Sequence, residues 1–156
     1  MSKELIIALI HQGHDGLVRT FNAVPDDKLN WKPLDNGRTA LDLFGETAQI
    51  CQMVTSVIRD EDHSHISYEM FAKFSQERAG WSKEEALAHL ETKSAALYAA
   101  LETLTEEQLA APVTLALRGG TTLPLANWIM MSYRTFISRF AQINYIQRLY
   151  GDHEMH

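Results

Sequence analysis

Apolar residues recur every three or four positions over four long stretches, near residues 2–24, 39–58, 82–103 and 125–149, and this spacing predicts four amphipathic helices. In the first, Ile7, Ile10, His14, Leu17 and Phe21 share a face behind a capping Ser2, and Pro25 stops the run. In the second, Leu43, Ile50, Met53 and Val57 follow Thr39, which with Asp42 makes a weak variant of the capping box. Ser82 opens the third, with Glu85 completing an S-x-x-E box and Ala86, Leu90, Leu97 and Leu101 continuing its inner face. The fourth lies between Pro124 and Gly151 and carries Trp128, Met131, Ile146 and Leu149 on one stripe. At about 1.5 Å per residue it is roughly 36 Å long, enough to span a small bundle.

The connections are punctuated differently. Residues 25–30 read as a single helical turn, followed by a rigid loop of Trp31, Pro33 and Asn36-Gly37. Residues 68–80 predict a short helix anchored by Phe71 and Phe74, and alternation at Val113, Leu115 and Leu117 before Gly119-Gly120 predicts a small hairpin. The expected architecture is all-α: a four-helix bundle with short extra helices and a hairpin-like insert before the last helix.

Polar residues on the apolar stripes are the candidates for function. Thr135, Arg139 and Gln142 interrupt the stripe of the last helix at i, i+4 and i+7 and point the same way. Two readings are open: Arg139 snorkels to water at a bundle corner, or the three line an internal pocket with polar walls. An unpaired buried guanidinium costs several kcal/mol, so a pocket requires a carboxylate partner. Glu46, one turn from Leu43 and Ile50, is the best placed, with a solvated rim glutamate as the alternative. His14 sits in mid-stripe either as a core histidine or as a pocket residue, with His11 on the shoulder of the same face. Gly13 and Gly16 point to close approach by a neighbouring helix or a ligand.

Composition narrows the classes. With 156 residues, 46% of them hydrophobic and no compositional break, the chain reads as one domain over residues 1–151 with a flexible tail at 152–156. A net charge of −6 without clustered Lys and Arg argues against nucleic acid. The single cysteine, Cys51, forms no intrachain disulfide and suits a reducing compartment, so the cytoplasm is the expected location. Asp15 and the polar residues near His11 interrupt the first apolar stretch, and no run reaches about 18 apolar residues, so neither a signal peptide nor a membrane span is expected. The loop Asp60–His65 holds two histidines two apart but is acidic enough to read as a solvated turn. Phosphate loops, dinucleotide fingerprints, nucleophile elbows and HExxH motifs are missing.

The order of a first helix, Leu29-Asn30-Trp31-Lys32-Pro33, Gly37, a second helix, an extended insert and a last helix ending Gln142-Ile143-Asn144-Tyr145-Ile146-Gln147-Arg148-Leu149-Tyr150-Gly151 resembles the DinB superfamily over almost the whole chain. The resemblance implies an up-down-down-up four-helix bundle, commonly a homodimer, with a divalent metal such as nickel or zinc held by one histidine of the second helix and two of the last. It implies thiol S-transferase or hydrolase activity for some members. Carried over residue by residue, the three histidines fall on Glu46, Thr135 and Arg139, while Gln142 matches the family's H-x3-H-x-x-Q ending. A guanidinium stays protonated and repels a cation, so no metal cofactor is expected. Were a metal present, Glu46, His14 and His11 would be its ligands. Three functions follow: a metal-free homodimer that binds a small molecule or serves as a scaffold, a metal-dependent transferase or hydrolase with a non-standard ligand set, and a protein-binding regulatory module. The central expectation is an ion pair between Glu46 and Arg139, with Thr135, Gln142 and His14 completing its hydrogen bonds.

Overall fold

Three of the four long helices begin where a hydroxyl side chain accepts a backbone amide three residues on. The computed structural model describes residues 2–60 and 62–156. In it Ser2 accepts from Leu5 to open α1 (Lys3–Asn22), Thr39 from Asp42 to open α2 (Ala40–Arg59), and Ser82 from Glu85 to open α4 (Lys83–Glu102). At Ser82 the Glu85 carboxylate returns the bond, so the box is complete. The short α3 (Tyr68–Arg78) is capped by Ser67, and α5 (Glu106–Ala110) by a second full box, Thr105 with Gln108. After a two-stranded antiparallel hairpin, β1 (Pro112–Leu115) and β2 (Thr121–Pro124), α6 (Leu125–Leu149) closes the bundle. Residues 25–30 make a 3₁₀ turn at Asp26–Lys28, as the spacing predicts.

Cross-helix contacts give the directions. Lys3 at the start of α1 bonds Glu102 and Leu104 at the end of α4, while Lys83 at the start of α4 reaches the Val24 carbonyl just past α1, so these two run antiparallel. Thr20 and Gln147, near the C-terminal ends of α1 and α6, bond each other, so α1 and α6 are parallel. Arg59 at the end of α2 reaches the Ala96 carbonyl in α4, and Gly45 near its start lies against Trp81 beside the start of α4, which makes α2 and α4 parallel. The result is the up-down-down-up order. Packing is most extensive between α2 and α4, then between α1 and α6 and between α2 and α6. Stacked Phe21 and Phe44, centroids 3.8 Å apart, lie in the core they enclose. A Cβ on Gly13 would stand 3.2 Å from Phe136 Cβ, so that glycine sets how closely α1 approaches α6.

The phase of α6 corrects the expected stripe. Its buried residues are Leu125, Trp128, Ile129, Ser132, Phe136, Ile143, Ile146 and Gln147, whereas Met131 and Thr135 are half-buried and Leu149 is 47% exposed. The physical reason is that two core positions are polar. Ser132 is fully buried, and Gln147 is buried because its amide spans to Thr20, donating to the carbonyl at 3.2 Å and accepting from the hydroxyl. The Thr135, Arg139 and Gln142 row is therefore the shoulder that faces α2, not the centre of the core. In residues 152–156 the His156 ring meets the Asp152 carboxylate at 2.9 Å. Among the described residues no helix is long and apolar enough to cross a membrane.

Candidate functional site

The loop before α2 fixes the site's first residue. Gly37 lies so close to the Pro33 carbonyl that a Cβ would sit 2.0 Å from its oxygen, and this turn delivers Arg38 immediately ahead of the Thr39 cap. Arg38, Asp42 and Glu46 then follow at intervals of four and share one face of α2. Arg38 donates from Nε to Asp42 Oδ2 at 2.5 Å and from Nη1 to Glu46 Oε2 at 2.6 Å. From α6, Arg139 grips Glu46 with two bonds, Nε to Oε2 and Nη2 to Oε1, both 2.9 Å. Its Nη1 donates to Gln142 Oε1 at 2.7 Å, one turn along.

The network continues to α3. Arg78 donates from Nε to Asp42 Oδ1 at 2.6 Å and from Nη1 to Gln49 Oε1 at 3.0 Å, and Gln49 passes its amide to the Phe74 carbonyl at 2.8 Å. Gly45 makes room beside Arg78 for the Trp81 ring, which a Cβ there would meet at 3.2 Å, while Arg78 Cβ would be at an ordinary contact distance of 3.5 Å. Side-chain exposures of 21% for Glu46, 18% for Arg139 and 10% for Arg78 place the chain of charges at a partly buried seam rather than in free solvent.

Burial by itself would push the Glu46 and Asp42 carboxyls up. Hydrogen bonds from Arg139 and Arg38 to Glu46, and from Arg38 and Arg78 to Asp42, together with the guanidinium charges, outweigh it and hold both below the ordinary carboxylate value. The same partners raise the Arg38 guanidinium despite its desolvation.

Glu46, Arg139 and Gln142 are thus brought together, and two expected members are not. Thr135 is half-buried one turn before Arg139 and makes no side-chain hydrogen bond to the pair among the described residues. His14 faces away: its ring packs edge-on to Tyr98 and Phe136, centroids 6.3 and 5.8 Å off, and its Nδ1 meets Asp15 at 3.1 Å. His11 stacks on Tyr98 at 3.8 Å. Both histidines therefore lie on the side of α1 that meets Tyr98 of α4, with His14 also against Phe136 of α6. The fallback ligand set of Glu46, His14 and His11 does not assemble. Among the described residues no group of three or more His, Cys, Asp or Glu side chains is placed to hold a metal ion. In the loop at 60–65, His63 bonds the Val57 carbonyl and His65 lies 3.6 Å from Asp60, while Glu61 lies outside the described residues. Cys51 is fully buried, and desolvation raises its thiol, which keeps it from being a ready nucleophile.

Arg38, Asp42, Gln49 and Arg78 complete the site beyond the residues that the stripe pattern singles out. The four-residue spacing of Arg38, Asp42 and Glu46 was a usable signal for the first two. Nothing local marks Arg78, which lies 36 residues from Asp42.

Two clefts of about 400 and 370 Å³ adjoin the network and share Arg38. The first is lined by Lys32, Thr39, Asp42 and Arg78 among others, the second by Pro33, Leu43, Gln142, Tyr145 and Ile146. A further concavity of about 480 Å³ runs along α6 beside Met130, Tyr133 and Ile137.

Residues 9–132 match the model of the DinB superfamily, a span that includes Glu46 and ends before Thr135. Among solved structures, YfiT from Bacillus subtilis, described as a probable metal-dependent hydrolase with an unusual four-helix bundle topology, has a TM-score of 0.79 at 18% identity, covering 97% of this chain and 90% of that one. The DinB-like protein YjoA from Bacillus subtilis has a TM-score of 0.71 at 17% identity, covering 97% and 96%. Mycothiol-dependent maleylpyruvate isomerase has a TM-score of 0.75 at 18% identity over 92% of this chain, which spans 61% of that enzyme's length. At such identities the likeness is one of fold. No curated protein matches the sequence.

Proposed function

The chain belongs to the DinB superfamily, and from that premise we propose that it is a metal-free member which binds a small molecule beside the Arg139–Glu46 ion pair. One observation carries the reading: both oxygens of Glu46 accept from Arg139, and Oε2 accepts from Arg38 as well. A metal at this position needs lone pairs directed at it and no fixed cation nearby. Here the carboxylate's acceptors are taken by guanidinium donors, Arg139 itself stays protonated, and a neutral threonine hydroxyl at Thr135 is a weak ligand. The residues present do not fit a divalent ion. The guanidinium supplies one fixed positive charge, which the Glu46 carboxylate neutralises, and it is no Lewis acid.

YfiT's description as a probable metal-dependent hydrolase favours the enzymatic reading, and it is the second one carried. Titration with nickel and zinc separates the two. The wild-type chain is expected to give no saturable heat with either ion, and a variant with Glu46→His, Thr135→His and Arg139→His to bind one ion per chain. Tight binding by the wild type would remove the metal-free reading.

A further inference from the structure

We infer that the cleft between the Trp31–Arg38 loop, the start of α2 and the end of α3 is a binding site for a small organic oxyanion, a carboxylate or phosphate group held by Arg38, Arg78 and Lys32. The inference rests on the metal-free reading in that Glu46 is held by Arg139 and Arg38 rather than by a metal.

Lys32, Arg38 and Arg78 line the cleft against the carboxylate of Asp42, with Glu46 bonded to Arg38 behind it; Asp35 of the same loop is not among the lining residues. The lining is therefore locally positive, in a chain whose net charge is −6. Lys32 is exposed and has no ion-pair partner among the described residues. At physiological salt the screening length is about 8 Å, so a ligand in the cleft feels this local excess more than the acidic remainder of the surface.

A guanidinium carries five N–H groups. Arg38 gives Nε to Asp42, Nη1 to Glu46 and Nη2 to the Asp42 carbonyl; Arg78 gives Nε to Asp42, Nη1 to Gln49 and Nη2 to Ser75. Each terminal nitrogen therefore keeps a hydrogen with no protein acceptor among the described residues, on side chains whose orientation the carboxylates already fix. Such preorganised donors bind an oxyanion with little further ordering cost. Thr39, the cap of a 20-residue helix, lines the same cleft, so the positive end of α2 adds to the attraction.

A volume of about 400 Å³ admits a metabolite-sized anion and little more. A single cleft that offers two fixed guanidiniums and an exposed ammonium discriminates by charge and oxygen geometry, which phosphate monoesters and dicarboxylates share.

The test is isothermal titration of the full chain with inorganic phosphate and, separately, succinate, at ionic strength held constant with sodium chloride. Binding of either anion at one site per chain, with a Kd of about 1 mM or below, is expected. The ratio of the two affinities identifies the favoured group. Lys32→Glu reverses an exposed charge outside the ion-pair network, so it should leave the melting temperature unchanged and weaken binding at least about tenfold. Arg78→Lys, which keeps the charge but loses the fork, should weaken it too. Absence of saturable binding by either anion, or Lys32→Glu binding as well as wild type, overturns the inference. Metal content of the same sample is read separately: stoichiometric metal would remove the metal-free reading, whereas anion binding indifferent to Lys32 would remove this inference alone.

Discussion

Arg38 and Arg139, on opposite sides of the α2–α6 seam, converge on a single oxygen: Nη1 of the first and Nε of the second lie 2.6 and 2.9 Å from Glu46 Oε2. Two like charges are held together by the carboxylate between them. Removing Glu46 should therefore cost more than removing either arginine. Breaking a buried pair costs about 3–5 kcal/mol, and with roughly a fifth of each side chain exposed about 2–3 kcal/mol is expected for Glu46→Ala. Arg139→Ala should cost about 1 kcal/mol, because Arg38 still neutralises the carboxylate. Urea denaturation of both variants reads the order, and a larger loss for Arg139→Ala would contradict the convergent arrangement.

Acid should loosen the same seam. The folded-state values of Glu46 and Asp42 lie below the ordinary carboxylate value of about 4, so the unfolded chain binds more protons. Their contribution is complete above that ordinary value and fades as the pH falls through the lowered folded values. The stability difference between wild type and an Asp42→Asn, Glu46→Gln variant should be constant from about pH 7 to pH 5 and shrink toward about pH 2.5. A difference that grew in acid would show that the carboxyls are raised instead.

Gly37 tests how the site is delivered. A methyl group there would stand 2.0 Å from the Pro33 oxygen, so Gly37→Ala must open the loop that carries Arg38. A loss of about 2 kcal/mol or more in denaturation is expected. Gly119→Ala is the comparison: a Cβ there meets nothing within 4 Å, and its cost, from a φ of +81°, is backbone strain alone. Equal effects at the two positions would show that the Pro33 contact does not constrain the loop.

Assembly is a further expectation. The outer face of α6 carries Met130 and Tyr133, both half-buried, and Ile137, 41% exposed. A homodimer through this face should appear by light scattering at micromolar concentration, and Ile137→Glu should return it to a monomer. A monomeric wild type would remove the expectation.

How much of this was legible in the sequence follows from how local each signal is. Ser2, Thr39 and Ser82 cap helices through bonds that close within three residues, so the helix starts could be read directly. The pairing of Glu46 with Arg139 spans 93 residues, yet a charge on a half-apolar stripe demands a partner, and few carboxylates lay on a suitable face. Arg78 carried no such constraint: a basic residue ending a short helix reads as a helix-end cation until the packing of α3 on α2 brings it to Asp42. The α6 stripe was set out of phase by Ser132 and Gln147, buried polar residues that periodicity counts as surface. The choice between His14 as a core histidine and as a pocket residue stays open in the sequence because helical spacing gives the face of α1 but not which neighbour that face meets; that face meets Tyr98 and Phe136.

Whether the Arg139 guanidinium stands in for a metal is read from the metal content of the wild-type chain, equilibrated with excess nickel or zinc, desalted and measured by inductively coupled plasma mass spectrometry. With Glu46 held by Arg139 and Arg38, less than about 0.1 ion per chain is expected, since a carboxylate already satisfied by cationic donors has little affinity left for a metal. Retention of about one ion per chain, lost on Glu46→Gln, would show that the carboxylate is a metal ligand and would contradict the account.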